Sequence, residues 1–61
     1  MRAIAGKSLQ DGMKVVLEPG EEPIEVRSIL QSNAPSWVYV VDELGVKHLA
    51  NKNYWYAEVE S

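Results

Sequence analysis

The stretch from Trp37 to Leu49, Trp-Val-Tyr-Val-Val-Asp-Glu-Leu-Gly-Val-Lys-His-Leu, leaves little choice of local structure. Its first five residues are β-branched or aromatic, the types that favour a pleated backbone. Gly45 follows a short polar-ended segment and suits the left-handed position of a three-residue hairpin loop, Glu43-Leu44-Gly45, closed by a G1 bulge. That loop sets a register. Asp42 pairs with Val46, Val41 with Lys47, Val40 with His48, Tyr39 with Leu49 and Val38 with Ala50. Because side chains alternate along a strand, one face then carries Val38, Val40, Val46, His48 and Ala50. The other carries Trp37, Tyr39, Val41, Lys47 and Leu49. The first set reads as core, with Val38, Val40, Val46 and Ala50 its apolar members. The second set is surplus that needs a cover.

The rest of the chain supplies more short strands. Met1–Gly6 reads as an edge strand or an ordered arm, and residues 1–9 are one candidate cover for the surplus face. A helical turn fits Ser8–Asp11, stopped by Gly12. Met13–Glu18 is a strand with Val15 and Leu17 on one side and Val16 on the other. Pro19-Gly20-Glu21-Glu22-Pro23 ends it, since two prolines and a glycine exclude a continuous helix or central strand. Ile24–Leu30 is the next strand, and its alternation slips at Ser28-Ile29-Leu30, as a bulge or strong bend would cause. Gln31–Ser36 is a polar loop. Asn51-Lys52-Asn53 is a short link that leaves room for one turn of 3₁₀ helix. Tyr54–Glu60 is the last strand, with Trp55, Ala57 and Val59 on one side.

Sixty-one residues make one domain, and a chain this short buries only about 60% of the surface its unfolded form exposes. It has no cysteine and a single histidine, which excludes disulfides and leaves no ligand set for structural zinc. The remaining routes to stability are a closed sheet, self-association or a partner. Nine acidic residues against six basic ones give a net charge of -3. Arg2, Lys7, Lys14, Arg27, Lys47 and Lys52 are scattered, which disfavours a surface that tracks phosphates. No secretory or membrane-spanning run appears, so a cytoplasmic protein is the expectation.

Five short strands with tight turns, and a 3₁₀ turn before the last of them, describe a small, strongly bent β-barrel. At Trp37-Val38-Tyr39-Val40, at Gly45 and at Leu49-Ala50-Asn51-Lys52-Asn53-Tyr54-Trp55 the chain resembles the SH3-like barrel family. In that family a Trp opens the third strand, a small core residue stands three positions on, a Gly lies in the next turn, and a 3₁₀ segment ending in Asn-Tyr precedes the last strand. Leu9-Gln10-Asp11-Gly12-Met13-Lys14-Val15 is similar to the entry of many such barrels. The match spans about half the chain, and Asn51 stands where the family has Pro. Tudor-like and other bacterial or phage barrels share the same architecture. In the peptide-binding branch the resemblance implies that Trp37 and Tyr54 line a groove.

Chemistry is sparse. His48 stands in no triad motif, so it reads as a barrel-end or surface residue. Adjacent Asp42 and Glu43 sit on a turn and form a poor acid/base pair. The acidic stretch Glu18, Glu21, Glu22 and Glu25 reads as a solvated loop, or as a negative patch that engages a basic partner. The expected function is a non-catalytic interaction module without cofactor or metal. It would bind a protein partner, or itself, through Trp37, Tyr39, Val41, Leu49 and Tyr54. Trp and Tyr suit that role because they bury much area with few rotatable bonds. The alternative is stacking of nucleic acid or nucleotides on the aromatics. A short acidic chain of this kind also fits the style of a small phage or bacterial regulatory or inhibitor protein.

Overall fold

The computed structural model describes residues 1–60. Among the described residues the chain is all-β, with two antiparallel sheets, seven strands and one 3₁₀ turn. The strands are β1 (Arg2–Ala5), β2 (Lys14–Val16), β3 (Ile24–Glu25), β4 (Ser28–Gln31), β5 (Trp37–Val41), β6 (Lys47–Asn51) and β7 (Trp55–Glu58). One sheet has the order β1-β7-β2-β3 and the other β4-β5-β6. The two sheets do not close into the five-stranded barrel expected from the sequence.

Two local causes raise the strand number. The N-terminal residues form a true edge strand, with Ala3 opposite Ala57 and Ile4 opposite Tyr56. They therefore complete the first sheet and do not cover the face of Tyr39 and Leu49. The expected strand Ile24–Leu30 is divided between the sheets. Val26 donates to the Met13 carbonyl (2.7 Å) and accepts from Gly12 N–H, so it belongs with the first sheet. Arg27 donates to the Val41 carbonyl (2.8 Å), in the second sheet. Val41 is also the partner of Ser28, so two residues face one, the arrangement of a β-bulge. The slip in alternation at Ser28 is this corner.

The expected 3₁₀ turn before the last strand is corrected as well. Residues 51–54 form a hydrogen-bonded turn in which Tyr54 N–H reaches the Asn51 carbonyl (3.2 Å). The Asn51 side chain also accepts from Asn53 N–H (2.8 Å), the Asx-type bond that lets Asn hold a turn by itself. The 3₁₀ turn lies instead at Gly6–Ser8, earlier than the helical turn expected at Ser8–Asp11.

The hairpin has the expected register throughout, from Val38–Ala50 to Val41–Lys47. Gly45 has φ 82°, and Asp42 N–H bonds the Val46 carbonyl at 3.0 Å. The core lies between the sheets and comprises Ile4, Leu9, Val15, Val26, Val38, Val40 and Ala50. Tyr56, Leu17, Ile24, Ile29 and Met13 pack around it. Val46, expected inside, is 51% exposed. It lies at the hairpin neck outside the core cluster, although its partner Asp42 is buried.

Candidate functional site

β5 and β6 carry the surplus apolar residues because their inner positions already fill the core. Three of the five residues expected to bind a partner come together. Trp37, Leu49 and Tyr54 line one groove, and the Trp37 and Tyr54 rings meet edge to face with centroids 6.2 Å apart and planes at 68°. The other two lie on the adjoining open face of the second sheet. There Leu30, Tyr39 and Leu49 form a row across β4, β5 and β6, and all three are exposed. Val41 is half-buried beside Lys47, whose amine stands 5.9 Å from the Tyr39 ring centroid.

The groove has a volume of about 610 Å³. Its far wall is Val16, Leu17 and Pro19, and its floor and end are Trp55, Tyr56 and Ala57. Trp55 is 69% exposed because its side of β7 faces out, while Tyr56 turns inward. Tyr56 keeps its hydroxyl satisfied by accepting Asn51 N–H at 2.9 Å. Trp55 and the β2 wall were not among the expected site residues. The alternation of β7 signals the outward Trp55, but the approach of β2 to β6 depends on how the two sheets meet, which no local pattern carries.

Leu17 continues into a second depression, about 230 Å³, lined by Leu17, Glu18, Glu21, Glu22, Ile24 and His48. Three carboxylates thus sit beside the apolar groove. No lysine or arginine lines either depression.

His48 is not isolated, as the sequence suggested. Its Nε2 lies 2.7 Å from Asp42 Oδ2. The other Asp42 oxygen accepts N–H groups from Leu44 (2.8 Å) and Val46 (2.9 Å). Asp42 is buried, and the hydrogen bond from His48 holds its carboxyl below the usual carboxylate range, with the two backbone donors acting the same way against the cost of burial. The hairpin register already carried this signal. Asp42 opposite Val46, next to Val40 opposite His48, places both side chains on one face as diagonal neighbours. Their geometry makes them a brace for the turn. Among the described residues no group of three or more His, Cys, Asp or Glu stands together as a metal site, and no helix is long and apolar enough to cross a membrane.

No family model, curated protein or solved structure matches the chain.

Proposed function

We propose that the chain is a non-catalytic protein-binding module of SH3-like architecture, which takes a segment of a partner protein into the groove of Trp37, Leu49, Tyr54 and Trp55. The observation that carries this reading is the exposure of that wall: Leu49, Tyr54 and Trp55 are 54%, 59% and 69% exposed around a concave, mostly apolar surface. Exposed Leu is ordinary, but two Trp and a Tyr around one concavity are not explained by the core, which closes without them. The groove also offers what a flat self-association patch lacks, two walls that grip a narrow segment.

Selection from a display library of random 12-residue peptides tests the reading. Peptides enriched on the wild-type chain should bind Trp37→Ala and Tyr54→Ala about tenfold more weakly or worse. Tyr54 packs less tightly than Trp37, so its variant guards against simple unfolding. Peptides that bind both variants as well as wild type would remove the groove from the function.

A further inference from the structure

β6 has a partner strand on one side only. In an antiparallel pair, residues that exchange hydrogen bonds alternate with residues whose N–H and C=O point away from the partner. Asp42 N–H bonds the Val46 carbonyl, which fixes the phase. Val40–His48 and Val38–Ala50 are then the bonded pairs, and Lys47, Leu49 and Asn51 turn their backbone groups outward. Asn51 closes one end of that edge: its N–H reaches the Tyr56 hydroxyl, and its carbonyl accepts the Tyr54 backbone N–H and packs against Gly6. Next to it on that edge of β6, Leu49 lines the groove. Among the described residues, nothing takes the outward backbone groups of Lys47 and Leu49.

At Lys47 and Leu49 the edge is therefore an open hydrogen-bonding row, and it borders an apolar groove through Leu49. A strand laid along it would place alternate side chains on two faces, in line with those of β6. One set would join Leu49 and Tyr54. The other would stand beside His48, over the depression of Leu17, Ile24, Glu18, Glu21 and Glu22. A lysine or arginine suits that position, with its stem on Leu17 and Ile24 and its charge among the carboxylates. Three other strands are sheet edges. β3 is two residues long and follows Pro23, and β1 begins with Arg2 and is followed closely by Lys7, features that discourage strand pairing. β4 is also open on one side, but its residues line neither depression.

Resting on the groove reading, we infer that the partner binds by strand addition: an extended segment with alternate apolar residues and a basic residue pairs with the free edge of β6 through Lys47 and Leu49. Main-chain hydrogen bonds would supply the grip and the two depressions the selectivity.

The same display selection supplies the probe, with the best-enriched peptide synthesised. Strand addition predicts apolar residues at every second position, a Lys or Arg, and no Pro within the bound stretch. N-methylation at one alternating set of peptide residues should weaken binding about tenfold or more, and at the other set by less than about twofold. Hydrogen exchange at the Leu49 amide should slow on binding. Exchanging Glu21 and Glu22 for Gln should weaken binding several-fold and flatten its salt dependence. A peptide that needs Trp37 and Tyr54 but tolerates N-methylation everywhere, and leaves the Leu49 amide unprotected, would overturn strand addition and leave the groove reading standing. A peptide indifferent to Trp37→Ala and Tyr54→Ala would overturn both. So would a selection that enriches nothing. A dimer by light scattering, with the Leu49 amide protected before any peptide is added, would overturn the partner segment in favour of a second copy.

Discussion

At Gly6 a single residue sets how closely the two sheets approach. Gly6 is buried, and a Cβ there would land on the Asn51 carbonyl and lie 3.0 Å from the Lys52 Cα. The neighbouring bonds, Gly6 N–H to Tyr54 (2.8 Å) and Lys7 N–H to Lys52 (3.1 Å), show how closely the two backbones run. Both partners are main chain and cannot swing aside. Gly6→Ala should therefore cost roughly 1–3 kcal/mol in denaturant unfolding, as overpacking does. Nothing near Gly6 in the sequence hints at this, because the clash is with a residue far along the chain. Asp42 acts within one sheet, where it braces the β5–β6 turn. A carboxyl whose folded pKa is lowered adds stability that is complete above the ordinary carboxylate range and is lost as pH falls through the lowered value. The thermal midpoint of the wild type should thus drop below about pH 4. Asp42→Asn should start lower at neutral pH and lose less between about pH 5 and pH 2, and a parallel loss in both would remove Asp42 from the acid limb.

At the scale of elements, the hairpin was legible and the corner was not. Strand pairing from Val38 to Lys47 followed from period-two alternation and one glycine whose φ is 82°. Alternation tells which side a residue faces, but not how deeply it is buried there. That is why Val46 shares the face of Val40 yet lies outside the core. The contrast is measurable. Val40→Ala, at a fully buried site, should destabilise the fold by about 2 kcal/mol, while Val46→Ala should stay within roughly 0.5 kcal/mol of wild type. Equal losses would mean that the hairpin neck is packed after all. The split of Ile24–Leu30 into β3 and β4 shows the same limit. A phase slip announces a bend, but the bend becomes a change of sheet only because Val26 and Arg27 find hydrogen-bond partners in different sheets. The Trp37, Leu49 and Tyr54 part of the groove was legible from the surplus of apolar residues. Its β2 wall was not, since it arises where two sheets meet without pairing.

At the scale of the whole molecule, charge favours the proposed protein partner over nucleic acid, which the aromatics alone would also admit. Stacking on exposed Trp and Tyr serves single-stranded nucleic acid as well as peptides, and every base has a face to offer. Affinity for nucleic acid, however, comes chiefly from cations that displace counterions from phosphate. The chain carries a net charge of -3, and its groove is lined by no lysine or arginine while its neighbour holds Glu18, Glu21 and Glu22. A phosphate backbone drawn along the aromatic wall would run toward these carboxylates, and lowering the salt would strengthen the repulsion. Trp37 and Trp55 both line the groove, so intrinsic fluorescence reports occupancy directly. Titration with single-stranded oligonucleotides should leave that fluorescence unchanged at micromolar ligand, and should do so most clearly at low salt. A basic, apolar peptide should change it under the same conditions, with an effect that grows as salt is removed. Quenching by oligonucleotide that strengthens at low salt would show that the scattered lysines and arginines act together on phosphate, and would overturn the proposed protein-binding role of the groove in favour of a nucleic-acid platform.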